Sequence, residues 1–169
     1  MLLRLYVSTC KWGGYEFYFA KTEIGLAFLS THERIKEEFS AWKNKYFPDH
    51  TLQYDEMINE KKQVDEYLKG ERQTFRLPLA LYGTDFERSV WQTVRTIPYG
   101  QLATYSDIAR KINKPQAVRA VANAIGKNPI LFVIPCHRVI RKDGDLGGFR
   151  AGTELKKHLL RLENISRFS

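Results

Sequence analysis

The sequence predicts an α+β chain in two parts: a small sheet-and-helix unit over residues 1–80, then a helical unit over 81–169 centred on a winged helix-turn-helix. Three observations carry this. Short segments rich in aromatic and β-branched residues are concentrated in the first half. Helical segments with start and stop signals fill the second. Charge divides at the same place. Residues 1–80 hold 12 Lys+Arg against 12 Asp+Glu, while 81–169 hold 15 against 7 and so carry the whole net charge of +8.

In the first half, Leu3–Val7, Tyr15–Ala20 and Gly25–Ser30 are spaced by Gly13-Gly14 and Thr22-Glu23, the pattern of a strand meander. His32–Phe47 has Ile35, Phe39, Trp42 and Phe47 near helical spacing and ends at Pro48. Asp55–Leu68 is a second helix, closed by Gly70. None of these elements shows a catalytic grouping, and their aromatics are expected in the core. Phe75–Gly83, with Pro78 inside it, is a linker or sheet-edge segment, and the boundary between units falls near residue 80.

The second half opens on Thr84-Asp85-Phe86-Glu87, a capping box in which Thr84 and Glu87 exchange side-chain and backbone bonds. That helix runs through Val90, Trp91, Val94 and Ile97 to Pro98. Thr104–Ile112 follows, capped by Thr104 or Ser106. After an Asn113-Lys114 turn, a helix with Pro115 in its first turn contains Ala117-Val118-Arg119-Ala120-Val121-Ala122. Helix, short turn and small-residue helix is the pattern of a DNA-binding pair, whose second member approaches the duplex closely. Ordinary helix packing also favours alanine. Ile130–Ile134 is an apolar run that must be buried. Val139-Ile140 and Leu146 flank Asp143-Gly144 as a small hairpin, and Thr153–Leu162 is an amphipathic helix.

Composition narrows the class. With 43% hydrophobic and 13% aromatic residues the chain is a folded protein. No apolar run approaches the roughly 20 residues that span a bilayer. Met1-Leu2-Leu3-Arg4-Leu5 has no signal-type apolar region, so a soluble cytoplasmic protein is expected. A basic half beside a neutral one points to a polyanion partner for the former. Two distant cysteines, Cys10 and Cys136, make no disulfide scaffold, and four histidines show no zinc-finger spacing. No metal is expected.

Cys136 stands in Pro135-Cys136-His137-Arg138, with Arg141 and Lys142 close behind. A thiolate is the nucleophilic form of cysteine, so a reactive one needs a base or a positive neighbourhood. In an extended segment His137 points away from Cys136. A turn there, or a bridging water, couples the two. The other reading of Cys136 is a buried core thiol.

Ile134-Pro135-Cys136-His137-Arg138-Val139-Ile140 resembles the active-site signature of the O6-alkylguanine-DNA alkyltransferases (methylated-DNA–protein-cysteine methyltransferases). The resemblance runs from about Gly83 to Glu163. It includes Ile97-Pro98-Tyr99-Gly100, Thr104-Tyr105, Ala117-Val118-Arg119-Ala120-Val121, Gly126-Lys127-Asn128-Pro129 and Gly148-Phe149-Arg150-Ala151-Gly152. It implies an RNase H-like N-terminal unit and a single-turnover, irreversible transfer of the alkyl group from O6-alkylguanine (and O4-methylthymine) in double-stranded DNA to the protein's own cysteine. It further implies base flipping, no cofactor and a monomer.

By the same resemblance, Cys136 is the acceptor, His137 the base acting through a water, Glu163 the group that holds His137, and Asn128 the brace of the active-site turn. Tyr105 crowds the target phosphate, helps rotate the nucleotide out and donates to guanine N3. Arg119 fills the gap in the base stack, with Ala117, Ala120 and Arg138 also at the DNA. Tyr105, Val139, Phe149 and Arg150 form the substrate pocket. Two positions depart from the family pattern: Phe149 stands where tyrosine is common, and Arg150 where a small residue is, which bears on pocket width. Two rival readings are a DNA-binding module without chemistry and a thiol hydrolase. The retained cysteine argues against the first, and the lack of a Gly-rich oxyanion loop against the second.

Overall fold

The computed structural model describes residues 3–168; Met1 and Leu2, part of the terminus without a signal-type run, lie outside them. The N-terminal half is a four-stranded sheet, order β3-β2-β1-β4, formed by β1 (Arg4–Trp12), β2 (Tyr15–Lys21), β3 (Leu26–Ser30) and β4 (Thr51–Tyr54). β1–β2 and β2–β3 are antiparallel, and β4 adds in parallel to β1. β1 extends further than the apolar segment that announces it, to the Gly13-Gly14 turn. β4 escapes a periodicity reading because all four of its residues are exposed. Between them, α1 (Ile35–Tyr46) lays Phe39 and Trp42 on Phe28, with ring centroids 5.4 and 4.9 Å apart. α2 (Ile58–Leu68) buries Val64, Tyr67 and Leu68 in the main core.

The edge of β3 is covered on its open side by two segments from elsewhere. Leu26 N–H donates to Pro78 O (2.9 Å) and Ala80 N–H to Leu26 O (2.8 Å). Gly25 permits this approach, since a Cβ there would lie 2.4 Å from Pro78 O. Further along, Leu29 N–H donates to Pro129 O and Leu131 N–H to Leu29 O, both at 2.8 Å. An otherwise unpaired edge is thereby closed, and the stretch ahead of Cys136 is fastened to the N-terminal sheet. One apolar core runs through both halves, joining Phe17 to Phe132 at 5.6 Å.

In the C-terminal half, α3 (Asp85–Val94) begins with the Thr84–Glu87 capping box, and its Trp91 indole donates to Ala124 O at 2.8 Å. A second capping box, Thr104 with Asp107, starts α4 (Tyr105–Lys111). α5 (Val118–Gly126) completes the helix-turn-helix; Pro115 lies in the turn, three residues ahead of the first helical residue, rather than inside the helix. The expected Val139–Leu146 hairpin is replaced by a parallel pair, β5 (Ala103–Thr104) with β6 (Val139–Ile140). Pairing with β5 leaves both Val139 and Ile140 buried, which an isolated hairpin cannot do. The turn at Asp143-Gly144 does form, with Gly144 N–H donating to Arg141 O at 3.0 Å. α6 (Thr153–Leu162) closes the chain.

Candidate active site

Cys136–Arg138 form one turn of 3₁₀ helix between the buried run 130–134 and β6. Asn128 braces the approach: its Oδ1 accepts from Ile130 N–H (2.9 Å), and its Nδ2 donates to Ile134 O (2.8 Å) and to Cys136 Sγ (3.1 Å). Phe132, inside this segment, has φ of +68°. An aromatic residue in left-handed backbone carries strain of about 1–3 kcal/mol. Its ring is held between Phe17 and Tyr67, at 5.6 and 5.8 Å.

The 3₁₀ turn sends His137 into the interior, where it is 0% exposed. Its Nε2 lies 3.1 Å from Glu163 Oε1 and 3.0 Å from the Tyr67 hydroxyl, and its Nδ1 meets no protein donor or acceptor. Glu163 caps α6 and also receives the Arg138 guanidinium, with Nη2 2.6 Å from Oε1 and Nε 3.0 Å from each of the two oxygens. The carboxyl is held down at about 2 because the bonds from His137 and Arg138 outweigh its burial. Burial lowers the pKa of His137 against the pull of Glu163, so the ring is neutral. Burial likewise raises that of Cys136, opposed by the Asn128 bond and by Arg150 and Lys156. At rest the pair is a neutral imidazole and a thiol.

Cys136 lines a cavity of about 250 Å³ together with Tyr105, Asn128, Gly148, Phe149 and Arg150. A wider groove of about 1000 Å³ runs beside it, between α5 and residues 145–148, and shares Tyr105, Ala122 and Gly148 with the cavity. Gly147 (φ +74°) fits under the Tyr105 ring, where a Cβ would meet the hydroxyl at 3.1 Å. On α5, Val121, Ala124 and Ile125 face the core, leaving Arg119 and Ala120 exposed and Ala117 half-buried at its start. Arg150 does not fill the cavity: its Nε pairs with Glu38 of α1 (2.8 Å) and its Nη2 donates to Asn128 O (2.5 Å).

Two sequence expectations are corrected. Arg138 is not at a DNA-facing surface; it is 6% exposed, with its guanidinium bound to Glu163 and to Ile97 O (2.7 Å). An arginine buried with its guanidinium on Glu163 and Ile97 O is turned away from any phosphate. Val139 is fully buried and does not line the cavity, because pairing with Ala103 turns it into the core.

Comparison with known proteins gives the family. Residues 85–165 match the model of the 6-O-methylguanine DNA methyltransferase DNA-binding domain, and residues 5–81 that of the same family's ribonuclease-like domain. The inducible methylated-DNA–protein-cysteine methyltransferase of Bacillus subtilis is 46% identical over 161 residues, 94% of this chain and 90% of that one. The chain belongs to this family. The constitutive B. subtilis methyltransferase is 41% identical, covering 87% of this chain and 94% of its own. The Mycobacterium tuberculosis enzyme, solved in complex with DNA, superimposes with a TM-score of 0.81 at 34% identity, covering 94% and 93% of the two chains. The chain is accordingly a DNA-repair methyltransferase that moves an alkyl group from DNA to a cysteine of its own.

Two residues at the candidate site were not anticipated. Tyr67 comes from the half without a catalytic motif, and nothing local to α2 marks it. Lys156 is 0% exposed and donates to Val139 O (2.8 Å), Leu146 O (2.7 Å) and Gly148 O (3.1 Å), pinning the loop that walls the cavity. Burial lowers its pKa to about 8. Its sign in the sequence is a cation three and four residues before Leu159 and Leu160, within the apolar face of α6.

Proposed function

We propose that Cys136 is the acceptor and that the substrate is O6-alkylguanine, with O4-methylthymine, flipped out of double-stranded DNA. The observation that carries this is the position of Sγ. Cys136 lines a cavity too small for a drug-sized ligand yet suited to a single heterocycle, beside α5 of the helix-turn-helix. A base inside a duplex is out of reach of any such cavity, and flipping costs a few kcal/mol. Arg119, exposed on α5, occupies the vacated stack, and Ala117 and Ala120 allow close approach. Tyr105, shared by groove and cavity, crowds the phosphate and donates to guanine N3.

In the chemical step the Sγ–H proton passes through a water to Nδ1 of His137. Sγ bonds to the alkyl carbon as its bond to O6 breaks. Guanine leaves as its anion, stabilised by the hydrogen bond from Tyr105 and then protonated from solvent, while the imidazolium returns its proton to water. Glu163 steadies the imidazolium and Asn128 holds Sγ. The thioether is stable, so each molecule acts once, without a cofactor. Residues 81–169 perform binding and transfer, and residues 1–80 form a supporting α/β domain. The protein acts as a cytoplasmic monomer. Among the described residues no helix is long and apolar enough to cross a membrane.

The test is a duplex bearing one radiolabelled O6-methylguanine. Wild type takes up one label per chain, and Cys136→Ala takes up none while still retarding the lesion duplex on a gel. Label on Cys136→Ala, or none on wild type, contradicts the assignment; equal binding without transfer by either supports a binding-only module.

A further inference from the structure

The hydroxyl of Tyr67 enters the His137–Glu163 pair from the other half of the chain. Tyr67 is the last residue but one of α2, 0% exposed, and its ring is fixed by Phe75 (5.3 Å), Phe132 (5.8 Å) and, edge-on, Tyr99 (6.3 Å). Its oxygen stands 2.9 Å from Glu163 Oε1 and 3.0 Å from His137 Nε2. Those two partners, themselves 3.1 Å apart, close a triangle.

Counting protons decides how this triangle is wired. An ionised carboxylate only accepts, and a phenol has one proton to give. If that proton went to His137, a phenol lone pair would face Glu163 Oε1 at 2.9 Å, two acceptors in contact. The proton therefore goes to Glu163, and the phenol oxygen presents a lone pair to Nε2. Nε2 must then bear the ring hydrogen, which leaves Nδ1, buried and without a protein partner, as the basic nitrogen. Glu163 alone is a crowded anchor for Nε2–H, because Oε1 also takes the Arg138 guanidinium at 2.6 Å. The phenol supplies a second acceptor at slightly shorter range, and its negative end faces the imidazolium that proton transfer creates.

We propose that Tyr67 is a positioning residue for alkyl transfer: it holds His137 in the Nε2–H tautomer with Nδ1 free to act as base, so the N-terminal half completes the relay. This rests on His137 being the base for Cys136, as above.

Tyr67→Phe keeps the ring and removes the hydroxyl. It is expected to slow methyl transfer about five- to tenfold, less than the roughly 10²–10⁴-fold of a group that itself carries the proton, because Tyr67 acts only through His137, with lesion-duplex affinity unchanged. In ¹⁵N spectra of histidine-labelled protein, wild-type His137 shows Nε2 protonated, and the variant shows a rising Nδ1–H share. Tyr99→Phe removes a neighbouring hydroxyl that donates to Leu162 O and leaves rate and spectrum unchanged. Wild-type rate and an unaltered His137 spectrum in Tyr67→Phe overturn the proposal. A proton on Nδ1 in folded wild type overturns it without any variant. Absence of transfer by wild type itself refutes instead the acceptor reading on which it rests.

Discussion

Cys10 is half-buried and Cys136 buried, and burial pushes both thiols up. Cys10 sits mid-strand in β1, opposite Phe17, where Lys61 and Asp65 of α2 act on it in opposite senses. Cys136 has a cavity above it, the Asn128 amide on its sulfur, and next to it in the chain a neutral imidazole whose far nitrogen is anchored. Neither is a resting thiolate. The difference lies in which groups can take the proton and where an alkyl donor can sit. On the proposed reading, reactivity at Cys136 is latent and appears when a substrate fills the cavity.

This contrast can be broken most severely at the base. His137→Gln removes the proposed proton acceptor and is expected to slow single-turnover transfer by about 10²–10⁴-fold, read as label transfer over time, while lesion binding persists. A fall of less than tenfold would place the base elsewhere.

The buried anchor comes next. Glu163 is held at about 2 against an ordinary 4.5, so its stabilisation is present above 4.5 and is lost as pH falls towards 2, about 3 kcal/mol in all. His137, with its pKa lowered by burial, resists protonation when folded, and stability declines already as pH drops below 6.5, its unfolded value. Urea unfolding from pH 7 to pH 2 checks both limbs. Glu163→Gln strands Arg138, costing about 3–5 kcal/mol at neutral pH, and flattens the acid limb. Parallel wild-type and variant profiles would contradict the wiring.

Smaller effects sharpen the picture at the DNA and the cavity wall. Arg119 is exposed and unengaged with the core, so Arg119→Ala leaves unfolding within about 0.5 kcal/mol. It slows transfer from duplex about tenfold, roughly 1.4 kcal/mol of the unstacking cost. Transfer from the free modified base is unchanged, and comparing the two substrates is the measurement. Arg150→Ala breaks a part-exposed pair with Glu38 and costs about 1 kcal/mol or less. It opens the wall beside Phe149, and the ratio of benzyl to methyl transfer rises.

How much of this was legible in the sequence follows from range. The Thr84–Glu87 capping box is local and sits where its spacing puts it, and of the two caps open for the next helix, Thr104 and Ser106, it is Thr104 that forms one, with Asp107. The helix-turn-helix and the buried run before Cys136 are likewise written in short stretches. Glu163 was one of 19 acidic residues and was named only through the family resemblance. Its contact with Tyr67 joins residues 96 apart, and no local pattern records such a pairing. Arg138 reads as a surface cation because a motif lists side chains without their directions; a single 3₁₀ turn takes it inside. β4 and the β5–β6 pair were missed for the same reason, since a partner strand far along the chain defines each.

The most direct test is peptide mass mapping of the intact chain after reaction with a duplex carrying O6-methylguanine. The methyl group is expected in full on the peptide holding Cys136, with the Cys10 peptide unmodified. Methyl on Cys10, or shared between the two, would contradict the claim that the cavity and its relay, rather than burial or thiol content, select the acceptor.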